Sequence, residues 1–131
     1  MSVAKKQGIV YVVDGDESTQ KALVRLLGLA NLKVEPFSSA DEFLKSPKQK
    51  GNSCILMDIP MPDPTGSDLQ EKLAAHNIRI SIIVISANDE GAVREEARKL
   101  GAVSFFRKPV DDQALLDAIW WAVRTAEKNQ S

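Results

Sequence analysis

Four short stretches of this sequence carry the groups that phosphoryl chemistry on a carboxylate requires. They are the acids of Asp14-Gly15-Asp16-Glu17, Asp58 at the end of CILMD, the hydroxyl of Ser86 in Ser86-Ala87-Asn88, and the ammonium of Lys108 before Pro109. Crowded carboxylates repel one another and raise each other's pKa unless a cation sits among them, and a ligand set made only of oxygen favours a hard ion such as Mg2+. A lysine at the same place neutralises a transferred phosphoryl group as a point charge, and a serine hydroxyl can donate a hydrogen bond to it.

Taken singly, each residue has a plainer role. Asp14 and Asp16 could cap a helix, Asp58 could open a turn, Ser86 could cap the helix that follows, and Lys108 could be solvated. The joint reading depends on all four stretches ending strands of one sheet, because ligands of open α/β sheets bind outside the carboxyl ends of the strands.

The hydrophobic pattern supplies those strands. Gly8 to Val13 (GIVYVV) is a continuous β-branched and aromatic run, as expected of a strand buried on both faces of a parallel sheet. Shorter strands are expected at Lys33–Glu35, Cys54–Met57, Ile82–Ile85 and Val103–Phe106. The first helix is expected over Glu17–Ala30, where Leu23, Leu26, Leu27 and Ala30 recur at helical spacing. Further helices are expected near 40–46, 67–76, 90–100 and 112–126. Ser39 with Glu42 fits a capping box, Gly101 after Leu100 fits a left-handed helix stop, and Asp111 fits an N-cap for the last helix. Strands separated by single helices imply right-handed crossovers and a doubly wound α/β fold with a mostly parallel sheet.

Composition narrows the alternatives. A chain of 131 residues suits one domain with a single shared core, since domains hold roughly 100–150 residues. With 17 Lys and Arg against 18 Asp and Glu, the net charge of -1 gives no bulk attraction to nucleic acid or an anionic membrane. No apolar run approaches the roughly 20 residues of a membrane span. Cys54 lies in an apolar run and reads as a small buried hydrophobe, and a chain with one cysteine, unable to form an internal disulfide, suits a reducing cytoplasm.

In order along the chain, VVDGDE, CILMDIPMPDPTG, IIVISAND and GAVSFFRKPV resemble the response-regulator receiver domains of two-component systems, from Ile9 to about Ala126. The intervals from Asp58 to Ser86 and from Ser86 to Lys108, with DEFL and DDQALLDAI, are most similar to receivers of the FixJ-like subgroup of transcription regulators. The resemblance implies a single receiver domain over 1–131, with its core at about 8–126. Its implied fold is the five-stranded parallel (βα)5, flavodoxin-like or CheY-like fold with strand order 2-1-3-4-5.

By the same resemblance Asp58 is the phosphoryl acceptor, and Ser86 with its neighbour Ala87, Lys108 and Phe105 are phosphoryl contacts or switch residues. Phe105 is the aromatic that turns inward on activation, and Lys108–Pro109 is a cis peptide. Mg2+ is held by Asp14, Asp58 and the backbone carbonyl of Pro60, with Asp16 a further candidate. Pro60 and Asn88 lie where the family tunes hydrolysis of the acyl phosphate. Such a domain is a signalling module rather than an enzyme, although it assists its own phosphorylation and dephosphorylation.

The implied partners are a sensor histidine kinase or histidine phosphotransfer protein, and a second copy of the chain through the fourth helix, fifth strand and fifth helix. No direct contact with nucleic acid or membrane is implied for this domain.

One position departs from the pattern. The family carries two consecutive acids after the first strand, and the second, a direct metal ligand, corresponds to Gly15. One carboxylate fewer lowers the charge of the site and weakens Mg2+, since affinity in oxygen sites follows ligand charge. The alternative function is therefore a pseudo-receiver whose interactions no longer depend on phosphate. A flavodoxin-like cofactor carrier is disfavoured, because acids stand where a Gly-rich or Ser/Thr-rich phosphate loop would follow the first strand.

Trp120 and Trp121, about 100° apart in helical projection, cannot both face the core, so one is expected inside and the other at the helix edge. Gly91, expected inside the fourth helix, lowers its helix propensity.

Overall fold

The computed structural model describes residues 8–48, 52–59, 66–88 and 90–129. Five strands and five helices alternate: β1 (Ile9–Val13), α1 (Glu17–Leu29), β2 (Lys33–Phe37), α2 (Ala40–Lys45), β3 (Ser53–Asp58), α3 (Gly66–Ala75), β4 (Ser81–Ser86), α4 (Gly91–Leu100), β5 (Ser104–Arg107) and α5 (Asp112–Asn129). The strands form one parallel sheet in the order β2-β1-β3-β4-β5. The doubly wound architecture and the strand order expected from the sequence are both present.

Alternation along each central strand sorts the core into two layers. Tyr11, Val13, Ile55, Met57, Ile82 and Val84 face α2, α3 and α4, whereas Val10, Val12, Cys54, Leu56, Ile83 and Ile85 face α1 and α5. Both faces are buried, so the strands read as unbroken apolar runs instead of alternating ones. Cys54 belongs to the second layer, where burial pushes its thiol up to about 12, and it serves as packing. The expected α1 stripe also lies on this layer, with Leu27 buried and Leu23, Leu26 and Ala30 packed against it.

The helix ends follow the chemistry of their caps. Ser39 Oγ accepts from the Glu42 amide at 3.1 Å, and the Glu42 carboxylate reaches back to the Ser38 amide at 3.1 Å, one residue before the position of a standard capping box. Asp111 caps α5 by accepting from the Ala114 amide at 2.9 Å. Gly101 closes α4 in the left-handed region at φ 76°. Gly91 stands at the first position of α4 and not within it, where glycine's low propensity matters less than in a helix interior.

Strand β2 runs two residues beyond the expected Glu35 and includes Pro36. The Lys33 amide donates to Gly8 O, so the alternate residues 35 and 37 direct their amides at β1 and the missing N–H of Pro36 falls on the open edge of the sheet. Strand β5 is shifted one residue to Ser104–Arg107. On α5, Trp120 packs against the core layer while Trp121 remains 57% exposed, the division expected from their projection.

Two glycines should respond in opposite directions. Gly101→Ala forces a Cβ into the left-handed region and within 3.0 Å of Gln70 Nε2, which should destabilise the fold by about 1–2 kcal/mol. At Gly28 on α1 a Cβ meets nothing within 4 Å, so Gly28→Ala should stabilise by about 0.5–1 kcal/mol. Urea midpoints of the two variants against the parent chain measure both signs.

Candidate functional site

Parallel register brings the strand ends together on one edge. Asp58 closes β3 opposite Ile85 of β4, and the Ile59 amide donates to Ile85 O at 3.1 Å. The next residue of β4 is Ser86, whose carbonyl accepts from the Lys108 amide at 2.8 Å just past the end of β5. On the other side Asp14 follows β1, with its amide donating to Phe37 O at 3.0 Å.

The lysine at this edge is shared. Lys108 Nζ lies 3.1 Å from Asp58 Oδ1 and 4.0 Å from Asp14 Oδ2. The two acids differ in access: the Asp14 side chain is 2% exposed, whereas Asp58 is 26% exposed and open to an incoming group. Burial, reinforced by the negative charge of Asp58, raises the Asp14 pKa above its ordinary value. The Asp16 amide that donates to Asp14 Oδ1 at 2.8 Å and the charge of Lys108 only partly offset this. Among the described residues, Lys108 is shared by two carboxylates, so this contact carries excess negative charge.

The remaining residues of interest occupy distinct places. Asp16 turns away to cap α1, accepting from the Ser18 amide and the Thr19 hydroxyl at 3.0 Å each, and it is exposed. Ser86 is fully buried and its Oγ accepts from the Asn88 amide at 3.1 Å, so it does not cap α4 itself. Asn88 Oδ1 in turn accepts from the Glu90 amide at 2.8 Å, leading the chain into α4. Ala87 is exposed beside Ser86. Phe105 lies away from the acids, packed against the α4 side of the core with the Arg94 guanidinium 4.9 Å above its ring. The Lys108–Pro109 peptide is cis. Pro60 lies outside the described residues.

Gly15 is exposed, and its backbone does not require glycine. Its φ is outside the left-handed region, and a Cβ there would meet only Ser38 O at 3.8 Å, an ordinary contact. A side chain is therefore sterically admissible where the acid is missing. Among the described residues no three His, Cys, Asp or Glu side chains converge as a metal-binding group, and Asp14 with Asp58 are the carboxylates that Lys108 joins. This donor set still fits Mg2+, which binds through one or two carboxylates and keeps several waters.

Two contributors escaped sequence reasoning. Gln20 Nε2 donates to Asp14 O at 3.1 Å and to Phe37 O at 3.0 Å, tying the end of β1 to the end of β2 and fixing where Asp14 begins. Arg94 covers Phe105. Both are polar helix residues whose roles arise from tertiary contacts, and no local pattern marks them.

Comparison with known proteins agrees with this architecture. The response regulator receiver domain family matches residues 10–120. The chain is 38% identical over 127 residues to Nodulation protein W of Bradyrhizobium diazoefficiens, covering 97% of this chain and 56% of that protein. It is 36% identical over 125 residues to response regulator protein TmoT of Ectopseudomonas mendocina, covering 95% of this chain and 57% of that protein. The chain thus spans little more than half the length of these relatives. The crystal structure of FixJ-N superimposes with a TM-score of 0.79 at 32% identity, covering 90% of this chain and 94% of that one. No helix among the described residues is long and apolar enough to cross a membrane. With sheet order, family match and relatives in agreement, this chain belongs to the response regulator receiver domains of two-component systems.

Proposed function

We propose that this receiver accepts a phosphoryl group on Asp58 from the phosphohistidine of a sensor kinase or histidine phosphotransfer protein. The arrival alters the surface of α4, β5 and α5, which controls a transcriptional output domain or a partner such as a second copy of the chain. A carboxylate oxygen of Asp58 forms the new O–P bond as the N–P bond breaks, and the electron pair stays with the donor imidazole. The observation that carries the reading is the Lys108 ammonium 3.1 Å from a solvent-accessible Asp58, beside a second, buried carboxylate. Lys108 neutralises the incoming anion, and the buried Ser86 hydroxyl next to that edge is available to donate to it.

Asp14 and Asp58, with the Pro60 carbonyl as a further ligand, are the groups proposed to hold Mg2+. Bound there, Mg2+ would neutralise charge on the transferring oxygens. Asp16 is engaged as the α1 cap, which argues against its standing in for the acid missing at Gly15. Such an ion would be held by fewer charges than a third carboxylate would supply, and its affinity would be correspondingly low.

Incubation with acetyl phosphate and Mg2+ should add one phosphoryl mass to the intact chain and none to Asp58→Ala. Absence of the adduct on the parent chain would instead support a receiver whose interactions are independent of phosphate. Gly15→Asp should tighten Mg2+ by on the order of tenfold in a titration followed by tryptophan fluorescence or calorimetry.

The raised pKa of Asp14 fixes the sign of a third outcome. The folded state holds the Asp14 proton more tightly than the unfolded chain does. This residue's contribution to stability therefore falls as pH rises from about 3.8, the ordinary value for an aspartate, through the folded-state pKa. Asp14→Asn removes that penalty while keeping an oxygen for the Asp16 amide. Without metal it should raise Tm at pH 7 by a few degrees, with the gain shrinking as pH approaches 4, and Mg2+ should no longer stabilise the variant. Thermal melts at both pH values, with and without Mg2+, measure all three effects.

A further inference from the structure

A single residue of α1 holds the turn between Asp14 and Asp16 from both flanks. Gln20 Nε2 donates to Asp14 O at 3.1 Å and to Phe37 O at 3.0 Å, and the Gln20 amide donates to Asp16 O at 2.9 Å. The carbonyls of both neighbours of Gly15 are thereby tied to one side chain and its own backbone. Phe37 O also accepts from the Asp14 amide at 3.0 Å, so Asp14 is gripped at its nitrogen and, through Gln20, at its carbonyl. Phe37 is a firm anchor for this grip: its buried ring lies 5.6 Å from that of Phe43 and 6.2 Å from that of Tyr11.

The turn has few other restraints. The chain bends at the exposed Gly15, where a Cβ would meet only Ser38 O at 3.8 Å, so neither packing nor a left-handed backbone pins this residue. Glycine has the widest backbone freedom of any residue. Rotation about Gly15 would carry the Asp16 amide away from Asp14 Oδ1, ending the 2.8 Å bond that orients the carboxylate. The Asp16 side chain gives no help, because it is spent on the Ser18 amide and the Thr19 hydroxyl.

We infer that Gln20 is a positioning residue for metal binding: by bridging Asp14 O and Phe37 O it fixes the turn through Gly15, and with it the direction of the Asp14 carboxylate. The inference rests on the proposed Mg2+ site and assigns part of its affinity to a side chain that is not itself a ligand. Groups that orient a metal ligand change affinity by about 10–100-fold when they are lost. Gln20 acts one step further out, through the backbone, which places its effect at the lower end, about tenfold. The same logic links Gln20 to Gly15. An alanine at 15 narrows the freedom that Gln20 otherwise restrains, and should return about 2–5-fold of the loss.

Calorimetric titration of the full chain with MgCl2, well below the melting temperature of every variant, reads these effects. Gln20→Met keeps the length of the side chain without its donors and should weaken Mg2+ by about tenfold. Gly15→Ala should cost the parent chain nothing and should restore about 2–5-fold when added to Gln20→Met. Ile119→Val, a core change on α5, should lower Tm and leave Mg2+ affinity unchanged, which separates positioning from general stability. A change of less than about twofold in Gln20→Met, an equal loss in Ile119→Val, or a loss that Gly15→Ala does not reduce would overturn the inference. If the parent chain takes up no Mg2+, the proposed metal site fails instead. The turn is then judged without metal, from the 15N heteronuclear NOE of the Gly15 amide: a drop in Gln20→Met supports the restraint, and an unchanged value overturns it.

Discussion

The sharing of one ammonium by two carboxylates is the interaction on which this domain depends. Lys108 lies 3.1 Å from Asp58 and 4.0 Å from Asp14, and the three residues come from loops or ends belonging to β5, β3 and β1. A parallel sheet makes the meeting possible, because every strand delivers its carboxyl end to the same edge and each crossover helix returns the chain to start again. The cost of burying Asp14 is met locally by the Asp16 amide and the lysine, and it is met incompletely, as the raised pKa records. The edge is left anionic and receptive to positive charge.

Burial separates the two acids. Asp14 is held by its amide to Phe37 O, by the Asp16 amide on its carboxylate and by Gln20 on its carbonyl, so it has little freedom to move. Asp58 closes β3 and is partly exposed. A fixed, enclosed carboxylate beside an accessible one suits the proposed division, in which the first shapes the local field and the second would meet the incoming group.

Much of this could be read from the residues in order. GIVYVV, CILMD and IIVIS are apolar without interruption because both faces of their strands are covered, and the caps at Ser39, Gly101 and Asp111 follow from side-chain chemistry alone. The end of β2 was less legible, since a proline in a strand is acceptable only when its bare nitrogen faces an open edge, a fact of sheet order. Which of Asp14 and Asp16 turns inward was equally hidden: two residues apart, both can serve α1, and the choice depends on Gln20 and Lys108 arriving from elsewhere. The cover that Arg94 places on Phe105 had no local signature, because a guanidinium on a helix is ordinarily solvated.

Pro36 has a consequence for how such domains can associate. An open strand invites another chain to lay its own backbone alongside, and repeated addition of that kind ends in fibres. At β2 a newcomer would find no amide at Pro36, the fourth of the five strand residues, and a rigid ring in its place, with the charged Lys33 and Glu35 nearby. Growth by strand pairing is thereby hindered on that flank, because one of the two positions that face outward there has no amide to offer.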